Sequence, residues 1–380
     1  MMIAQKSIQF LVGIFVFLAS FTYAGEHKTE GQGAHEEGGK HEVHAAGPVD
    51  TKEEIDAYIK HHLQDAHDFT FFTDGETGKH YGFSLPIILW DNEAGLQVFS
   101  SSKFHHGEAV AESNGNFYKY YHGKIYKTDA EGTINYDEDH RVQNYRPLDF
   151  SVTKNVLGTV LAFLIVFLLF RSLAKSYAKS SVPSGLKGGL EELVIFVRDE
   201  IAIPNIGKEK HRKFMGYLLT VFFLILVLNL LGLTPLGFNV TGNIAVTMCL
   251  ALFTFFITQF KGNKDYWKHI FWMPGAPVPM KIILAPIEVL GMFTKPFSLM
   301  VRLFANMTAG HSVLMALIAL TILLKSQFTA VGSTGISVVL SLFIFLIELL
   351  VAYLQAFVFT MLSSLFIGVA VQDHHHDDHH

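Results

Sequence analysis

Residues 282–324 read IILAPIEVLGMFTKPFSLMVRLFANMTAGHSVLMALIALTILL, an apolar run interrupted by Glu288, Lys295, Arg302, Asn306 and His311. As one helix it would be about 65 Å long at 1.5 Å per residue, about twice the roughly 30 Å of bilayer hydrocarbon. The expectation is a helix that tilts steeply or lies partly flat. A break at Lys295-Pro296 does not give two ordinary spans, because the first piece would have only about fourteen residues where a crossing needs about twenty. Glu288, Lys295 and Arg302 recur every seven positions, which brings them near one helical face with about 20° of drift per step. Asn306, four positions on, lies near Arg302. An arginine at the centre of a membrane helix is unfavourable by roughly 2.5–3.5 kcal/mol and faces a bundle interior, a wet cavity or a partner. Pairing with an acid merely to fix packing is the competing reading.

The rest of the chain agrees with a membrane setting. Of 380 residues, 50% are hydrophobic and only 17% charged, with 34 phenylalanines, a composition that argues against a purely soluble protein. Further runs of spanning length or nearly so occur at 156–170, 214–233, 244–260 and 336–371. The lone cysteine, Cys249, sits inside one of them, so no intrachain disulfide can form. The expected fold is an all-α polytopic membrane protein with five membrane-crossing helices and one interfacial amphipathic helix. The last two crossings form a long tilted hairpin, and a small β-rich extracytoplasmic module precedes the spans.

The organisation reads in five parts. Residues 1–24 have Lys6, an apolar stretch and small residues ending at Ala24, the pattern of a cleavable signal peptide, with an uncleaved anchor helix as the alternative. Residues 25–79 are His/Glu/Gly-rich, too polar at first to bury a core, with a short helical pattern at 51–67. Residues 80–150 alternate β-prone segments, FSLPIILW, LQVFSS, NFYKYY and KIYKT, with the turn-rich NEAG, SNGN and DAEGT. Residues 151–372 hold the spans, and 373–380 form a His/Asp-rich tail expected to be cytoplasmic and solvated. Between the first two spans, GGLEELVIFVRDEIAIPNIG places charges among apolar residues at helical spacing, either an interfacial amphipathic helix or a soluble docking helix. Lysines and arginines cluster after the first span, before the second and after the third, while GLTPLGFNVTGN has none. The positive-inside rule then puts the amino-terminal module outside and the carboxyl terminus in the cytoplasm.

Two more polar positions belong with the long segment. Glu348 and Gln355, seven apart, share a face of the last span. His311 lies nine positions beyond Arg302, on the opposite side and about 13 Å along the axis. An arginine, a histidine, a glutamate and a glutamine in hydrocarbon have the makings of a proton relay, although a single buried histidine is more often a packed one.

The residues that carry this chemistry also carry a resemblance. FVRDEIAIPNIG, NLLGLTPLG, TGNIAVT, EVLGMFTKPFSLMVRLFANMTAGH and ELLVAYLQAFVFTMLSS together resemble subunit a of the F-type ATP synthase, over most of residues 150–372. The resemblance implies a non-catalytic stator subunit of a bacterial inner membrane, with two offset proton half-channels and the arginine between them. Its partners would be the c-subunit ring, the peripheral stalk b subunits, the remaining synthase subunits and lipid, with no cofactor, nucleotide or nucleic acid bound. Carried over, Arg302 would face the ring carboxylates, with Asn306 and Gln355 as its polar neighbours. Glu288 would line the cytoplasmic exit, and His311 and Glu348 would form the outer half-channel pair. Many bacterial members have Glu then His at these two positions; His then Glu is the order of mitochondrial relatives. Lys295 and Ser298 are possible channel-lining residues, as are Asn229 and Asn243, for which helix packing is an equally good reading.

Two other classes compete. A stand-alone proton-coupled secondary transporter would show related halves and helix breaks near the midplane, and the sequence shows neither. A periplasmic metal-binding protein on an anchor would rest on His27, His35, His41, His44, His61, His62 and His67, whose spacings are loose, and would need one span rather than five. No P-loop is present, since His80 follows Gly78-Lys79 where Ser or Thr is required.

Overall fold

The computed structural model describes residues 65–372 apart from 74–79, 108, 139, 179–184, 235–237, 274–276 and 325–329, and at His311 and several other helix and strand positions it describes the backbone alone. The expected signal peptide, nearly all of the His-rich segment and its helical pattern, and the 373–380 tail lie outside the described residues.

The amino-terminal part is built of short antiparallel strands. Strands β1 (Asp68–Thr73) and β2 (His80–Ser84) form a hairpin. Strands β3 (Pro86–Asp91), β4 (Gly95–Ser100) and β8 (Leu148–Asp149) make a sheet in the order β4-β3-β8, and β5 (Val110–Ser113), β6 (Asn116–Tyr121) and β7 (Lys124–Thr128) make another. The NEAG and SNGN turns join β3 to β4 and β5 to β6, with Gly95 and Gly115 at positive φ where a side chain would strain the turn. Strand β1 lies ahead of residue 80, where the sequence begins its β-prone alternation; its burial of Phe69 comes from a distant loop that the local pattern does not contain. Ile87, Leu89, Phe99, Phe104, Ala111, Tyr118 and Ile125 close a small core between the sheets.

Asp91 is buried in this core and fully used. Its carboxylate accepts from the Glu93 and Ala94 amides at 2.9 and 3.2 Å and from Tyr118 Oη at 3.0 Å, and it pairs with Lys127 Nζ at 3.0 Å. Burial pushes the carboxyl up, but the Glu93 amide, Lys127, the Ala94 amide and Tyr118 outweigh it and hold it below the usual carboxylate range. His67 and Asp149 form a second internal pair at 3.2 Å. His67, one of the loosely spaced histidines, is therefore engaged within the fold.

The chain then becomes helical. Helix α1 (Lys154–Tyr177) starts at Thr153, whose Oγ1 accepts from the Val156 amide at 3.4 Å. Helices α2 (Leu186–Phe196) and α3 (Ile203–Ile206) run into each other through a six-residue π-helical segment, Val197–Ala202. There the Ile201 carbonyl accepts from Asn205 Nδ2 at 2.8 Å and from Ser364 Oγ at 3.3 Å. Helices α4 (His211–Leu233), α5 (Ile244–Lys261), α7 (Val278–Leu324) and α8 (Ala330–Val371) follow, with a short α6 (Lys264–Phe271) between α5 and α7. Among the described residues, five helical stretches are long and apolar enough to cross a membrane: α1, α4, α5, Val278–Gly310 of α7 and Val338–Val371 of α8. Pro286 and Pro296 lie inside α7, which passes Lys295-Pro296 as one helix.

Helix α4 is the central post: Phe214 to Ile225 are buried without interruption, whereas most side chains of α7 between Val278 and Gly310 lie at the surface. Around Tyr217, Phe222 and Phe223 pack α1, α5, α8 and the π segment. The acidic and basic residues of 186–206 stay on the surface, and Val197, Ile201, Ala202 and Ile206 turn inward. At one end of the bundle Lys210 Nζ donates to the Val371 carbonyl at 2.6 Å and the Asn263 amide to Ala370 at 2.9 Å. At the other end sit the β module and the loop after α4.

Candidate functional site in the α7–α8 pair

The geometry of α7 sets the site. Glu288, Lys295 and Arg302 are each two helical turns apart, about 10.5 Å of rise, and Asn306 adds one further turn. Asn306 Nδ2 donates to Gln355 Oε1 of α8 at 2.7 Å. Gln355 is buried, whereas Asn306 is exposed. This bond fixes the register of α8 against α7 one turn from Arg302.

The Arg302 side chain is exposed and has no hydrogen bond or salt bridge among the described residues. Leu299, Met300, Leu303 and Met307 around it are buried, so the helix presents apolar side chains to the bundle and the guanidinium away from it. An arginine pinned by an acid of its own chain is not what the described residues contain.

One turn beyond Asn306 the backbone of Gly310 lies against the Glu348 carboxylate, so closely that a methyl placed on Gly310 would fall on it. Glu348 is half-buried. His311 is the next residue along the chain, on the α7 backbone. Glu348 is therefore brought to the part of α7 that carries His311.

Towards the other end, Lys295 Nζ stands 5.6 Å from the centre of the Phe366 ring of α8. It borders a small pocket between α5, α6, α7 and α8, also lined by Thr254, Thr258, Gln259 and Tyr266, with about 10 Å³ of free volume, the room of one water. Gln259 Nε2 donates to Tyr266 Oη at 3.3 Å. Burial raises the Tyr266 hydroxyl above its ordinary range; the Gln259 bond opposes this and the charge of Glu288 adds to it. Glu288 is half-buried, and Ser298 is exposed on α7.

The two asparagines outside the pair are held within the bundle. Asn229 on α4 accepts from Thr241 Oγ1 at 2.9 Å and donates to the Ala352 carbonyl at 3.4 Å. Asn243 caps α5, its Oδ1 accepting from the Ala245 amide at 2.9 Å. These contacts accord with helix packing for both.

Sequence reasoning missed two polar clusters and one close approach. Tyr266 and Gln259 belong together only because α6 folds back; the signal for α6 was Asn263, which caps it by accepting from the Tyr266 amide at 2.9 Å. Tyr217 Oη, Thr254 Oγ1 and Ser363 Oγ form a buried hydroxyl cluster, at 2.6 and 3.1 Å from Thr254, across α4, α5 and α8. The role of Gly310 in admitting the Glu348 carboxylate emerges only when α8 packs against α7.

Comparison with known proteins decides the family. The family model described as ATP synthase A chain matches residues 156–368, more than half of the chain. The chain belongs to this ATP synthase A chain family. Every candidate residue from Asn229 to Gln355 falls inside the matched stretch. The chain is similar to "ATP synthase subunit a 2" of Chlorobaculum tepidum, 52% identical over 194 residues, covering 50% of this chain and 53% of the relative. It is 52% identical over 197 residues to "ATP synthase subunit a" of Myxococcus xanthus, covering 50% of this chain and 63% of the relative. It is 51% identical over 196 residues to "ATP synthase subunit a" of Anaeromyxobacter dehalogenans, covering 50% of each. The chain thus spans between half and two thirds of the length of these relatives. Ahead of the ATP synthase A chain match, residues 58–150 match a second family model, described as Domain of unknown function (DUF8433).

Proposed function

We propose that this chain is the stator subunit of an ATP synthase membrane sector and conducts protons along two offset half-channels against a rotating ring of c subunits. It performs no catalysis itself. The observation that carries the reading is Arg302: a permanent cation on the outward side of α7, exposed and unpaired among the described residues. Such a group is tolerable in a bilayer when a partner brings anions to it. A ring of membrane-buried carboxylates passing α7 supplies them. The guanidinium favours the ionised carboxylate, so each proton is released before its carrier passes, and direct leakage between the half-channels is blocked.

On this reading His311 and Glu348 take protons in from the outer side, and the Gly310–Glu348 contact supports their working as a pair. Glu288, with Lys295 and Ser298 on the same stretch of helix, lines the way out to the cytoplasm. Asn306 and Gln355 hold the polar environment of the arginine. The 80–150 module is periplasmic, the carboxyl terminus cytoplasmic, and the peripheral stalk b subunits are further partners at the inner membrane.

The deciding experiment is Arg302→Ala in membrane vesicles that contain the assembled synthase. Gradient-driven ATP synthesis should fall to background with the complex still assembled; normal rates would refute the assignment.

A further inference from the structure

The β4-β3-β8 sheet has two apolar faces where an antiparallel sheet at a protein surface has one. Its inner face carries Ile87, Leu89, Gln97 and Phe99, all buried. On its outer face the register sets Trp90 opposite Leu96 and Leu148, and Ile88 opposite Val98. The Phe150 amide donates to the Ile88 carbonyl at 2.8 Å and the Val152 amide to Pro86 at 3.1 Å, so the strand continues past β8 and adds Phe150 and Val152 to the same face. Trp90, Leu96, Val98 and Phe150 are 48, 55, 58 and 51% exposed, and the strand positions of this face carry no charge. A contiguous apolar patch of this kind marks a protein or membrane contact.

The connections of the sheet identify the occupant. The strand that holds Phe150 and Val152 passes through Thr153 straight into α1, whose outward stripe of Val160, Leu164 and Leu168, four residues apart, is 40, 50 and 52% exposed. The module cannot drift from this end of the bundle. The Lys154 amide donates to Ala66 at 2.9 Å, the Asn155 amide donates to Asp65 Oδ1 at 3.1 Å, and the Phe69 ring packs 5.2 Å from that of Phe238 in the loop after α4. Tryptophan and other large apolar side chains held beside the entry of a span belong at headgroup depth. The Thr153 cap lets the chain turn there, from a strand along the surface into a helix across it.

We propose that the outward face of the β4-β3-β8 sheet is a lipid-contacting surface, which seats the amino-terminal module flat on the headgroup layer of the bilayer that α1 crosses. This rests on α1 being a membrane span and is independent of proton conduction by Arg302.

The single native cysteine makes a direct test possible. In a Cys249→Ser background, Val98→Cys carries a nitroxide label in the full chain reconstituted into phosphatidylcholine vesicles. Its collisions with oxygen and with a water-soluble nickel chelate are compared with those of labels at Leu164→Cys, facing lipid, and Glu131→Cys, facing water. The expected result is an oxygen-to-chelate ratio at position 98 several-fold above that at 131 and close to that at 164, with the same result from Leu96→Cys should the first variant fold poorly. Chelate-dominated relaxation at both positions would place the face in water. Protection from both reagents would place protein on it, a second copy of the chain included; either outcome overturns the proposal. A chelate-accessible label at position 164 would instead remove the span on which it depends.

Discussion

Arg302 and Asp91 show two ways a fold carries a charge away from free water. Asp91 is satisfied within the module by two amides, a hydroxyl and a lysine. Because these partners depress its folded-state pKa, its stabilisation is fully present above the ordinary carboxylate range near pH 4 and is lost as the pH falls through the lower folded value. Asp91→Asn should therefore lower the neutral-pH stability of the module, by about 1–3 kcal/mol for the groups left poorly paired, and flatten its loss in acid. Trp90 fluorescence between pH 7 and 3, in a chain lacking Trp267 and Trp272, measures both effects; an unchanged acid limb would contradict the assignment. Arg302 has no such set of partners among the described residues, and its roughly 2.5–3.5 kcal/mol cost is what the proposed ring carboxylates would offset. The type and position of this residue were legible in the sequence, because it is the one arginine in a run of some forty mostly apolar residues. The partners of Asp91 were not, because Tyr118 and Lys127 arrive from strands paired at long range.

At the scale of elements, α8 approaches α7 and α3 where a small residue permits it. Gly310 gives its space to the Glu348 carboxylate, and Gly368 lies on the Asn205 backbone carbonyl. Gly310→Ala should push Glu348 out of place and reduce ATP-driven proton pumping, read by quenching of an acridine dye, by an order of magnitude or more. Shortening the acid by one methylene with Glu348→Asp should restore part of that loss in the double variant, whereas simple misfolding of α7 would not be rescued. The long helices themselves were readable from hydropathy; most ends lie within about four residues of expectation, but α1 runs on to Tyr177 rather than 170 and α8 starts at Ala330 rather than 336. Helix α6 was not, because its buried residues, Tyr266 and Ile270, gain their value from Ala370 and Met292, remote in sequence.

For the whole molecule, the joint between module and bundle matters most. Phe69, 2% exposed, leaves the module to pack with Phe238, and Gly158 of α1 makes room for Phe238 and Val240. Phe69→Ala should cost the joint on the order of 3 kcal/mol while leaving the core around Tyr118 intact. Hydrogen exchange should then quicken at the Lys154 and Asn155 amides, which bond across the joint, and stay slow in β6; equal acceleration in both would mean that the module unfolds as one unit with the joint.

The sequence by itself determined the spans, the presence of a β-rich part and the set of polar residues in α7 and α8, because burial in hydrocarbon and strand alternation are written in local order. Only the tertiary structure decided which of those residues meet. Asn306 reaches Gln355 across 49 positions, Glu348 reaches Gly310, and the outer apolar face of the β3-β4 hairpin is extended by Leu148 and Phe150 only when β8, far along the chain, pairs with β3. Contacts of this kind are set by how helices and strands pack on one another, and the composition of any single segment carries no record of its partner.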